Sequence, residues 1–108
     1  MTAELRMRIY KTILDFKYPV KYIGAYYLRD GIMHCLENPQ VIDYMNRIYC
    51  VIAKKHGTGT KNVERNIRTV INKWWDYDKC GGLFDKKPTA SELVHTLVAR
   101  ITIELKIY

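Results

Sequence analysis

Proline and glycine are scarce in this chain, three and six among 108 residues. So few breakers beside 48% apolar side chains exclude a disordered or collagen-like chain and point to a folded globule. Long apolar runs are missing as well. The longest, "IYCVIA" at 48–53, falls far short of the roughly 20 residues that span a bilayer. The N-terminal "MTAELRMRIYK" carries charge in every turn and lacks the apolar centre of a signal peptide, so a cytoplasmic protein with no membrane attachment is expected. Cys35, Cys50 and Cys80 form an odd set without C-x-x-C spacing, which reads as buried free thiols. Neither they nor His34, His56 and His95 fall at metal-ligand intervals, and no metal or cofactor is expected. No Ser-His-Asp set, catalytic carboxylate pair or phosphate-cradling loop is present, "HGTGT" at 56–60 lacking the lysine of a P-loop. The chain is not expected to be an enzyme.

What the sequence does contain is helical periodicity. Leu5, Ile9, Ile13 and Phe16 recur at helical intervals over 3–16, with Pro19 beyond as a stop. Ile23, Tyr27, Leu28, Ile32, Cys35 and Leu36 share one side of 23–37, which closes at "ENP". A third helix over about 41–56 uses Ile42, Met45, Ile48, Tyr49, Ile52 and Ala53, and Gly57 suits its left-handed C-terminal position. A fourth runs over 60–77. After it, "DYDKCGGLFDKK" reads as a turn region with a short helical piece at "GGLF". "TASE" at 89–92 has the capping-box form and opens a last helix through 106, with Leu93, Leu97, Val98, Ile101 and Leu105 as its stripe. Alternating strand patterns are lacking. The expectation is one all-α domain over 1–108, a compact bundle of five or six helices containing a helix-turn-helix.

Acidic residues are scarcest where they tell most. The formal charge is +7, and residues 54–73 hold Lys54, Lys55, Lys61, Arg65, Arg68 and Lys73 against the single Glu64, a net +5. In "TKNVERNIRTVINKWW" at 60–75, Val63, Ile67, Val70, Ile71, Trp74 and Trp75 gather on one side of a helix, with the tryptophans expected to anchor it to the last helix. Lys61, Arg65, Arg68 and Asn72 recur on the opposite side, with Asn62 and Thr69 beside them. Such a cationic stripe on the second helix of a glycine-turned pair suits a major groove. Lys61, Asn62, Glu64, Arg65 and Arg68 are the candidate base contacts. Arginine can pair bidentately with guanine, asparagine with adenine, and glutamate can accept from cytosine. Lys54, Lys55, Thr58, Thr69, Asn72 and Lys73 are the candidate phosphate contacts, which set register without reading sequence. The bland alternative is a solvated helix face, which more often mixes acids with its bases. His56, at a helix end near the lysine pair, is a further phosphate candidate, and the tyrosines 22, 26, 27, 44 and 49 fall in or beside apolar patterns that suit packing rather than base stacking.

The stretches "YLRDGI" at 27–32, "IAKKHGT" at 52–58, "VERNIRTVINKWW" at 63–75, "LF" at 83–84 and "KKPTASEL" at 86–93 together resemble the C-terminal effector domain of the sporulation initiation response regulator of spore-forming Firmicutes. The likeness covers nearly the whole chain. It implies an all-helical DNA-binding domain whose recognition helix reads a short operator box, and its "VERxIR" pattern puts recognition residues onto Glu64, Arg65 and Arg68. Lys61 and Asn62 stand where the family is expected to carry a small hydroxyl residue and an arginine, so a different preferred DNA sequence is expected. Residues 76–87 form a shorter segment than in the family pattern, so a dimer contact made there is not carried over. The start of the sequence is read as lying within helix one, and the family's usual receiver domain is expected to be absent. A stand-alone regulator is therefore expected, with constitutive binding, dependence on a partner and a fragment of a longer chain all left open.

The expected function is sequence-specific binding of double-stranded DNA by a bacterial transcription regulator that blocks or recruits polymerase. A homodimer on repeated half-sites suits a regulator of this size, although the sequence marks no contact surface. The alternative is an interaction module of the same fold that binds another regulator or RNA polymerase. RNA is a weaker option, since A-form grooves do not admit a helix readily.

Overall fold

Thr2 accepts the Leu5 N–H at 3.1 Å and so opens α1, Ala3–Asp15, in the computed structural model of the chain, which describes residues 1–106. The helix α2, Ile23–Glu37, stops where Pro39 can neither donate a hydrogen bond nor continue the turn. Pro39 instead opens a 3-10 turn over Pro39–Val41, and α3, Met45–His56, begins only after Tyr44, four residues later than periodicity suggests. Ile42 therefore packs on the core from a turn. The fourth helix, α4, covers Thr60–Asp78, and a left-handed Lys79 ends it. The short helical piece expected at "GGLF" lies earlier, as a 3-10 turn over Lys79–Gly82. At the start of α5, Ala90–Leu105, the capping box is formed: Thr89 Oγ1 accepts the Glu92 N–H at 3.1 Å, and Glu92 Oε1 accepts the Thr89 N–H at 3.0 Å. The described residues are five helices and their turns, with no strand, an all-α bundle.

One apolar cluster draws on all five helices: Ile9 and Ile13, Leu28 and Ile32, Ile48 and Ile52, Val63 and Ile67, Leu93 and Leu97 are all buried. Each such side chain removed from water contributes about 1.5–3 kcal/mol before entropy is counted. The predicted stripes thus face the core, with exceptions at their ends. Ile23, expected on the inner side of α2, is exposed because it is the first residue of its helix. Val94 is buried though the stripe omitted it. Of the three thiols, Cys35 and Cys80 are buried as expected, but Cys50 faces solvent from α3. Burial pushes both inner thiols up to about 11. No helix among the described residues is long and apolar enough to cross a membrane.

The tryptophans of α4 do different work. Trp74 is fully buried and meets the Tyr18 ring edge-on, with centroids 5.4 Å apart, so its aromatic partner lies in the α1–α2 connection. Trp75 is half-buried and carries Lys79 over its face at 4.8 Å. One helical turn on from Trp74, the Tyr77 hydroxyl donates to the Lys17 carbonyl at 2.8 Å, a second tie to the same connection. The inner side of α4 is fixed elsewhere by Gly24 of α2, where an added Cβ would stand 2.1 Å from the Asn66 carbonyl oxygen. Only glycine lets the two helices approach that closely.

Candidate nucleic-acid interface

Three residues join α3 to α4. Gly57 adopts φ 64° and ψ 39° and returns its N–H to the Ala53 carbonyl, the left-handed termination expected of it. Thr58 N–H also reaches Ala53 O, at 3.0 Å, and Gly59 leads into α4 without a side-chain cap. The bend is held from outside as well. Asp30, buried in α2, accepts a hydrogen bond from His56 Nε2 and pairs with Lys55 Nζ at 3.1 Å. His56 further packs edge-on against Tyr27, with centroids 4.9 Å apart. The last turn of α3 is thereby tied to α2, which fixes the direction from which α4 departs.

On α4 the separation of faces is sharp. Val63, Ile67, Val70, Ile71 and Trp74 are buried, while Lys61, Glu64, Arg65, Arg68, Thr69 and Lys73 are exposed. Among the described residues, Lys54, Lys61, Arg65, Arg68 and Lys73 have no carboxylate within salt-bridge distance. Lys55 is the exception. Its Nζ lies 3.1 Å from Asp30 Oδ1, a carboxylate that it shares with His56 and, at 3.6 Å, with Arg29, while its side chain stays largely exposed.

The polar residues beside the stripe are also engaged inside the protein. Thr58 Oγ1 accepts from Asn62 Nδ2 at 2.9 Å, and Thr69 Oγ1 donates to the Arg65 carbonyl at 3.0 Å. Asn62 is half-buried, and its oxygen accepts from Arg65 Nη2 at 2.8 Å and Asn66 Nδ2 at 3.0 Å. Glu64, Arg68 and Asn72 line a cleft with Tyr49 of α3 and with Lys87 and Thr89 before α5. Burial, with Glu64 adding to it, raises the Tyr49 hydroxyl above its ordinary range and keeps it a neutral donor at that cleft.

Helical spacing places Lys61, Arg65 and Arg68 together on the exposed side. It does not reveal Asp30, Gly24 or Asn66, which set where that side points. A carboxylate on the side of α2 that also carries Tyr27, in "YLRDGIM", was the available sign that Asp30 needed a buried partner.

A family model described as sporulation initiation factor Spo0A C terminal matches residues 9–101, nearly the whole chain and every helix that builds this face. With an all-helical core, a glycine-turned helix pair and an unpaired basic stripe on its second member, this chain belongs to the Spo0A C-terminal family of DNA-binding sporulation regulator domains.

Proposed function

We propose that residues 60–72 of α4 enter the major groove of double-stranded DNA and read a specific operator. The observation that carries this reading is the set of five unpaired cations, Lys54, Lys61, Arg65, Arg68 and Lys73, around a helix whose other side is locked in the core. Lys61, Glu64, Arg65 and Arg68 face base edges, where an arginine offers two parallel N–H groups to guanine O6 and N7. Lys54, Thr69, Asn72 and Lys73 lie toward the phosphates, and Thr58 contributes mainly by bracing Asn62. Bound at a promoter, the protein acts by occupancy, blocking or recruiting polymerase.

Selection of duplexes from a randomised pool at moderate salt tests this directly. An enriched sequence is expected, and Arg65→Ala is expected to cost about 1–3 kcal/mol on that sequence and to relax one base position. Equal losses on enriched and shuffled duplexes would refute base readout by Arg65. The competing reading, an interaction module for a regulator or polymerase subunit, has in its favour an apolar groove between α1 and α2 lined by Met7, Tyr10, Leu14, Val20 and Tyr26. It takes the lead where the pool yields no enriched duplex.

A further inference from the structure

Asn62 occupies a groove-side position on α4, yet its amide is already in use. Arg65 can only donate, so the Asn62 oxygen must face the guanidinium and the nitrogen must face Thr58. That oxygen accepts from Arg65 Nη2 at 2.8 Å and from Asn66 Nδ2 at 3.0 Å, which fills both of its lone pairs. A bidentate contact with adenine needs an oxygen free to accept and a nitrogen free to donate. Asn62 has one N–H left and no oxygen lone pair.

The anchoring continues on either side. Thr58 Oγ1 takes the other Asn62 N–H at 2.9 Å, and Asn66 Nδ2 also reaches the Asn62 main-chain carbonyl at 2.8 Å. The chain Thr58, Asn62, Arg65 thus runs from the bend before α4 to the guanidinium.

We propose that Asn62 is a positioning residue that holds Arg65 in its base-reading rotamer, and does not itself read a base. This rests on the reading of α4 as a recognition helix. One Nη2–H given to Asn62 still leaves the guanidinium a complete two-N–H edge for guanine, whichever of the two Nη2 hydrogens is used. The side chain of Arg65 is exposed and rich in rotamers, so fixing it before DNA arrives removes part of the ordering cost of binding.

The test combines two readouts. Asn62→Ala, Thr58→Val, Arg65→Ala and the Asn62→Ala/Arg65→Ala pair are measured on the duplex that the wild type selects and on its shuffled counterpart, with circular dichroism to verify folding. Asn62→Ala is expected to weaken the selected duplex about two- to tenfold more than the shuffled one, the equivalent of freeing one long side chain. Its effect disappears when Arg65 is already alanine, and it relaxes the same base pair that Arg65→Ala relaxes. Thr58→Val, which leaves Asn62 in place, gives a smaller loss at that base pair. Additive losses, or relaxation at a different base pair, overturn the proposal by making Asn62 a reader in its own right.

The second readout needs no DNA. NMR order of the Arg65 guanidinium in the free protein is expected to fall in Asn62→Ala. An unchanged order overturns the positioning role even if the wild type selects an operator. An ordered guanidinium in a protein that selects no duplex overturns instead the base-reading function on which the role depends.

Discussion

Replacing Gly24 by alanine probes the contact that seats α4. The new methyl carbon would lie 2.1 Å from the Asn66 oxygen and 2.6 Å from its carbonyl carbon. Both atoms are helical backbone, so no side-chain rotation relieves the overlap, and α2 and α4 must separate by about 1 Å to restore contact distance. A gap of that size forfeits roughly a quarter to a half of each atom pair's attraction along the interface. Overpacking typically costs about 1–3 kcal/mol, and a collision with backbone belongs at the upper end. Against it, alanine gains about 0.8–1.0 kcal/mol of helix propensity over glycine.

The expected net loss is about 1–2 kcal/mol, which lowers Tm by roughly 5–15 °C in a domain of this size. Gly31→Ala is the control. Its Cβ would meet Ile48 Cγ2 at 3.2 Å and Ile52 Cδ1 at 3.3 Å, side-chain methyls that need to give by only a few tenths of an ångström. There the propensity gain offsets the crowding, and Tm should hardly move. Thermal melts followed by circular dichroism decide the matter. A Gly24→Ala protein as stable as wild type would mean that α2 and α4 do not approach as described.

Three further outcomes are expected. Asp30→Asn removes the charge that ties α3 to α2 and should lower urea-determined stability by about 1–3 kcal/mol, as for hydrogen bonds to charged groups; no loss would dismiss the tie. Lys54→Ala should shallow the log-log salt dependence of DNA binding by about 0.9, whereas Lys55→Ala should change it less because Lys55 already faces Asp30; equal slopes would contradict that distinction. His95 donates through Nε2 to Asp43 Oδ1 at 2.9 Å, and this hydrogen bond, helped by the Ser91 carbonyl, raises its pKa. A raised folded-state pKa gives stability that is fully present below the unfolded value and is lost as pH rises through the folded one. The urea midpoint should therefore fall between about pH 6 and pH 8 by more in the wild type than in Asp43→Asn, and parallel profiles would rule the pair out.

Short-range features were legible in the sequence because each is written within a few turns of chain. The α5 capping box needs only Thr89 and Glu92, and the inner stripe of α4 needs only spacing. Helix starts were less legible. Pro39 forbids one conformation but does not choose its replacement, so the 3-10 turn that delays α3 to Met45 lay beyond periodicity. Pairings across the fold were hidden as well: Asp30 meets His56 26 residues away, and Asp43 meets His95 52 residues away. The exposed side of α4 shows the same limit on a smaller scale. A helical wheel brings Asn62 near Arg65 without telling which polar atoms satisfy each other and which remain for a ligand.

The contrast among the three thiols bears on how this protein behaves at the bench. Cys35 and Cys80 are shielded and held protonated, whereas Cys50 stands in solvent. Maleimide or a fluorophore will therefore find a single address, on the helix that precedes the bend, with no engineering required. By the same logic Cys50 is the thiol through which air oxidation would join two copies, and a covalent pair seen on a sizing column run without reductant would owe nothing to DNA.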